Sequence, residues 1–319
     1  MGAQPCAPQA LIKTKPNRMA KRTPLRLLAL RARVSVFFVR ALVSGPVCIC
    51  NTRNMQISRQ HLDDLRFAKQ LLERPSLAAR LTDRVGAPIE KGFALLPETW
   101  SDTIREVVNS SLHKSLEVAV KSLGKSSGPP QDRFHALAAI TVGATGGAFG
   151  LPGLLVELPI STTIIFRSIA DIARSEGEEI DSIETRLACL EVFALGGRSS
   201  ADDAVETGYF AVRSALAKAV SDAAQHIAEK GLIEKGAPAL VRLFSAVSAR
   251  FGIAVSEKVA AMAVPAIGAV GGALINSIFI NHFQDMAQGH FVVRRLERLY
   301  AKELVQEEYE GLSLDTDPN

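Results

Sequence analysis

Very little in this sequence suits covalent cross-linking, metal binding or nucleotide handling. Of its four cysteines only Cys189 lies beyond residue 50. The body of the chain therefore has no internal disulfide framework, which fits a reducing compartment. Cys48-Ile-Cys50 is too closely spaced for a zinc knuckle and has no second pair. Neither H-E-x-x-H nor an Asp-rich loop occurs, so no metal site is expected, and no motif calls for a cofactor. Gly143-x-x-Gly146-Gly147-x-x-Gly150 is glycine-rich but lacks the Lys-Ser/Thr of a phosphate loop, and no strand precedes it. The nucleophile elbow of a serine hydrolase is not expected either. Strand signals are missing throughout: apolar and polar residues do not alternate, and Asn-Gly and Asp-Gly pairs are absent.

Acidic side chains are absent from residues 1–54, which carry ten Lys and Arg and no His. Removing those ten from 37 basic residues leaves 27 against 33 acids, so the rest of the chain carries about −6 while the whole carries +4. An acidic body argues against a nucleic-acid partner. The leader has three readings. Its Arg-rich, acid-free bias suits a transit peptide. A secretory signal fails, because Arg26, Arg31, Arg33 and Arg40 interrupt every apolar run, so the chain is not expected to be secreted. The favoured reading takes Met55 as the true start, because residues 1–54 lack the apolar periodicity of a foldable element. The expected organisation is a basic, disordered leader over 1–54, one helical domain over 55–310, and a disordered tail over 311–319.

Helical spacing then dominates. Leu62, Leu65, Ala68, Leu71 and Leu72 predict a first helix ending near Pro75. A second is expected from about Glu98 to Leu123, followed by a loop from Gly124 to Pro130. Ile160, Ile164, Ile165, Ile169 and Ile172 predict another. Asp181-Ser-Ile-Glu184 reads as a capping box, with Asp181 as the cap and Glu184 reaching back, and that helix is expected to end at Gly196-Gly197. Two helical stretches are expected within Ser199 to Lys235, and one from Val241 to Val264. The expected fold is all-α, a single multi-helix domain with two glycine-rich apolar helical segments.

Those segments span 141–156 and 259–281, and each contains G-A-x-G-G-A. Gly143 and Gly147, Gly146 and Gly150, and Gly268 and Gly272 lie four apart, with Gly271 beside the last pair, so each pair opens one helix face to a close neighbour. Two fates stand: buried helices of a soluble core, or helices inserted in a bilayer. Val259 to Asn281 is uncharged and long enough to span, yet Pro265, Asn276 and several glycines lower its hydrophobicity. Glu157, just beyond the first segment, would cost on the order of 3 kcal/mol at mid-membrane. Burial in a soluble core carries the greater weight.

Glu157 is the only charge between Arg133 and Arg167. Burial would make it a candidate general acid or cation ligand; the favoured reading is a carboxylate paired with a cation from a neighbouring helix. Arg167 and Asp171 are four apart and suited to an exposed ion pair. Glu184 is assigned to the capping box and Arg186 to a neighbouring acid. His290, Arg294 and Glu297 fall at i, i+4 and i+7. With Arg295 and Arg298 they offer a structural ion-pair network or a face for anions and lipid headgroups, with His290 as a proton shuttle.

Gly143 to Gly153, Phe166 to Ala173, Glu184 to Gly197, Val264 to Ala273 and His290 to Arg298 resemble, in that order, the EcsC protein family. The resemblance covers about Gln56 to Glu310. It implies a bacterial protein, since the family is named for the third product of a bacterial operon whose other products resemble an ABC transporter. It supplies no reaction. The expectation that follows is a cytoplasmic protein, peripheral to or partly inserted in the inner membrane, serving as an accessory or interaction protein with a membrane lipid or membrane protein as partner. The alternative is a peptidase- or lipase-like hydrolase built on a buried acidic site around Glu157, with Asp171 and His290.

Overall fold

The computed structural model describes residues 56–73, 75–85, 89–97, 99–122, 151–197, 208–230, 237–263 and 268–313. The leader and Gly143, Gly146, Gly147 and Gly150 lie outside the described residues. Those residues form ten helices and no strand. They are α1 (Arg59–Leu72), α2 (Leu77–Val85), α3 (Ile89–Phe93), α4 (Trp100–Ser122), α5 (Leu151–Ser175), α6 (Ile183–Leu195), α7 (Tyr209–Lys230), α8 (Pro238–Ala263), α9 (Gly268–Leu299) and α10 (Lys302–Gly311). The all-α expectation holds.

Two long helices organise the interior. α9 packs against α1, α2, α5, α6 and α8, and α8 packs in addition on α3, α4 and α7. Where they meet, Phe193 of α6 is ringed by Phe166 of α5, Phe251 of α8 and Phe283 of α9, with centroids 6.2, 4.7 and 5.4 Å away. All four rings are buried. Glycines let backbones come this close. A Cβ on Gly197, just past α6, would lie 1.9 Å from the Arg250 carbonyl oxygen of α8. On Gly289 of α9 it would lie 2.6 Å from Cγ of Leu72 in α1. Gly268, Gly271 and Gly272 sit in the first turns of α9, with Gly272 buried and Gly271 half-buried.

The ends of the domain are tied to each other. In α1 the Ser58 hydroxyl accepts from the His61 amide at 3.3 Å, and Leu65, Ala68, Leu71 and Leu72 supply the buried stripe. Lys69 is buried on the same helix, and its ammonium donates to the carbonyls of Tyr309 at 2.8 Å and Leu312 at 2.7 Å. These are end groups of α10 that no intrahelical amide reaches, so the lysine caps another helix from across the fold.

Several local expectations need correction. The helix expected from Val241 to Val264 is α8, and within the run 259–281 Val259 to Ala263 belong to α8 and residues 268–281 to α9, with residues 264–267 outside the described set. The cap of α6 is Ser182, whose side chain accepts from the Thr185 amide, one residue later than expected. Glu184 is exposed, and Asp181 pairs instead with Arg186 at 3.4 Å. Asp171 pairs with Arg174 at 3.1 Å, three residues on, rather than with Arg167, which is exposed. Of the two helical stretches expected between Ser199 and Lys235, α7 is one, and residues 198–207 and 231–236 lie outside the described set.

Candidate functional site

The sequence-derived candidates fall into three separate clusters. Glu157 of α5 is buried, and both its oxygens accept from the Lys258 ammonium of α8 at 2.9 Å. The same ammonium donates to Asn276 Oδ1 of α9 at 2.8 Å and lies 4.7 Å from the centre of the Phe279 ring. Three helices are therefore joined through one cation, which is the paired arrangement expected for Glu157. The cavity beside it measures about 10 Å³ and is lined by Trp100, Ile104, Val107, Leu158, Val255 and Val259 along with Lys258. That is room for about one water and none for a substrate.

His290 belongs to a second cluster, where α6, α7 and α9 meet. Its Nδ1 lies 3.0 Å from the Tyr209 hydroxyl. Arg213 donates to that hydroxyl at 3.2 Å and makes a two-pronged pair with Glu297 at 2.7 and 2.9 Å. His290 Nε2 faces Glu191 Oε2 at 3.9 Å. Burial, reinforced by the positive charges of Arg213 and Arg294, holds the imidazole well below its usual range, so His290 is neutral near pH 7. Burial likewise raises the Glu191 carboxyl, against the pull of Arg213 and Arg294. Cys189 is fully enclosed nearby, and burial pushes its thiol far above the range of a nucleophile.

A third cluster binds the end of α9 to the turn after α5. Gly177 has φ +81, its amide bonds to the Arg174 carbonyl, and the Glu178 amide bonds to the Ala173 carbonyl. This Schellman turn places Glu176 and Glu178 beside the arginines of α9. Arg294 reaches the two Glu178 oxygens at 2.9 and 3.2 Å, and Arg298 joins the same carboxylate. Arg295 bridges Asp64 at 2.8 Å and Glu176 at 3.2 Å. Burial alone would raise the Glu178 carboxyl, but Arg294, Arg298 and the Thr185 hydroxyl together hold it below its ordinary value.

Glu157, Asp171, Glu184 and His290 thus do not converge on one cavity. Sequence reasoning missed a different feature: a cleft of about 760 Å³ between α4 and α8, with Phe93 of α3 and Ala78 of α2 also on its wall. Glu257 and Ser248 line it, both nearly buried. Burial pushes the Glu257 carboxyl up to about 7, against a hydrogen bond from the Ala78 amide. The available signal was the spacing of Ser245, Ser248, Ala249, Gly252 and Ser256, a line of small and hydroxylated residues along an otherwise apolar helix. The chain does contain one G-x-S-x-G pentapeptide, Gly124-Lys-Ser126-Ser-Gly128. It lies outside the described residues, and the strand-to-helix turn that gives the motif its chemistry has no strand to start from among the described ones. No group of three or more His, Cys, Asp or Glu among the described residues is placed to hold a metal ion.

These features define an all-α domain in which buried ion pairs connect neighbouring helices. The chain belongs to the EcsC protein family, whose family model matches residues 60–296. No curated protein and no solved structure matches the chain.

Proposed function

We propose that this EcsC-family chain is a non-enzymatic accessory or interaction protein of a membrane system. The carrying observation is the dispersal of its candidate acids and bases. Glu157 is held by Lys258, Asp171 by Arg174 and His290 by Tyr209, in separate parts of the fold. A hydrolase needs an acid or base and a nucleophile within reach of one reacting atom, so dispersal weighs against that alternative. Association with a membrane draws support from composition: α8 is long and apolar enough to cross one, though such a helix also suits the core of a soluble protein.

Fractionation of cells, with salt and then detergent extraction of the membranes and cross-linking of neighbours, tests this reading. The expected result is release from membranes by salt or detergent, with a membrane protein or lipid among the cross-linked species. Recovery entirely in the soluble fraction, with no membrane neighbour, would overturn it. Arg294, Arg295 and Arg298 enter this reading as a clamp, since each is paired. R294Q combined with R295Q is expected to lower the thermal midpoint by several degrees. Reduced flotation with anionic vesicles at unchanged stability would return these arginines to a lipid-contact role.

A further inference from the structure

The cleft between α4 and α8 falls within the volume range of small-ligand sites, at about 760 Å³. Its wall is mixed: Phe93, Ile104 and Ile253 are apolar, while Ser248 and Glu257 are polar and nearly enclosed. Ser248 is 8% exposed, and its hydroxyl has no hydrogen-bond partner among the described residues. Ser256, two turns further on, returns its proton to the Gly252 carbonyl at 2.8 Å, the usual solution for a helical serine. A buried hydroxyl without that bond is left desolvated and unsatisfied unless something else takes it.

Glu257 is the second unusual group. It is 6% exposed and accepts from the Ala78 amide, which opens α2. Among the described residues no cationic side chain pairs with it. Among the described residues the other charges on the cleft are Asp102, Arg105 and Glu106, all exposed on α4. Arg105, the one cation among them, is held by Asp102 at 3.3 Å. These described charges sum to a net negative cleft, with Glu257 the enclosed one.

We propose that this cleft binds the ammonium end of a cationic amphiphile. The amine pairs with Glu257, the polar linkage beside it takes the Ser248 hydroxyl, and the apolar body lies along Phe93, Ile104 and Ile253. A positive charge at that point supplies the partner that a buried carboxylate requires. Phe93 stands 42% exposed on the wall of the cleft, an apolar surface for the body of the amphiphile. The ammonium group has two possible sources, a free amine in solution or the headgroup of an aminophospholipid. The inference is independent of the accessory reading above.

Calorimetric titration of the full chain at pH 8 with octylamine, and with octanol as the neutral control of equal length, tests it. Octylamine should bind at least about tenfold more tightly than octanol, a difference carried by the charged pair. E257Q, which keeps the acceptor for the Ala78 amide and hence the fold, should abolish that preference. Circular dichroism confirms that the variant is folded. Equal affinity of wild type for amine and alcohol overturns the proposal, and so does an E257Q variant that keeps the preference. Flotation with vesicles of phosphatidylglycerol, with and without phosphatidylethanolamine, identifies the source. Glu257-dependent enrichment on the phosphatidylethanolamine vesicles supports the lipid headgroup. Glu257-dependent octylamine binding without that enrichment supports a soluble amine.

Discussion

Glu157 and Glu257 are both buried carboxylates, and they differ in what faces them. Glu157 has the Lys258 ammonium against both oxygens. Removing the cation in K258M leaves a buried charge alone, which should cost about 3–5 kcal/mol, whereas the pair replacement E157L with K258M should recover most of that loss. Urea unfolding followed by circular dichroism measures both. Glu257 has no such partner, and its folded carboxyl titrates near 7 against an ordinary value of 4.5. The unfolded chain therefore releases this proton first, and stability is lost as pH rises from about 4.5 through 7. E257Q should be more stable than wild type by on the order of 2 kcal/mol at pH 8 and no different at pH 4. Glu157 was legible in the sequence, because a lone charge in a long apolar run must find a partner. That the partner is Lys258, 101 residues away, was not legible. Nor was the opposite fate of the adjacent Glu257, because one helical step of rotation separates the interior from the cleft.

Among the elements, periodicity located most of the helices, and the corrections concern their ends. Asp181 and Ser182 are both good caps, so local preference alone cannot choose between them. The choice falls to Ser182 through side-chain contacts: Thr185 donates to Glu178, outside the helix, at 3.0 Å, and Asp181 is drawn to Arg186 in the first turn. Two glycines carry unequal loads. G177A places a side chain at φ +81 and should cost about 1 kcal/mol. In G197A the new methyl would meet the Arg250 backbone oxygen at 1.9 Å, so α6 and α8 must separate. Its cost should exceed that of G177A by at least about 2 kcal/mol, as overpacking against rigid neighbours does. Denaturation of the two variants side by side checks the order.

On the scale of the whole molecule, stability is shaped by groups with opposing titrations. His290 is folded in its neutral form, so its contribution is complete above about pH 6.5 and declines as acid protonates the unfolded chain's imidazole. Glu178, held below 4.5 by its arginines, contributes above that value and is lost as pH falls through its lowered one. Glu257 acts in the opposite direction between 4.5 and 7. In wild type the two slopes oppose each other over much of that range. In E257Q the raised carboxyl of Glu191 still opposes His290, but the contribution of Glu257 is gone, so its thermal midpoint should lose more than that of wild type as pH falls from 7 toward 4.5. Parallel midpoint profiles for E257Q and wild type over that interval would contradict the raised carboxyl at Glu257. The family and the all-helical class were readable from ordered motifs and spacing. The cleft was not, because its wall comes from four helices and its polar groups become unusual only when neighbours enclose them.

The lysine that caps α10 also bears on how the chain is made. Lys69 and its acceptor carbonyls are 240 and 243 residues apart, so a ribosome delivers the ammonium long before either oxygen exists. For most of synthesis α1 carries a cation suited to burial and nothing to receive it. The domain can be completed only after the last helix has left the exit tunnel, which makes closure a post-translational step and leaves α1 available to chaperones until then.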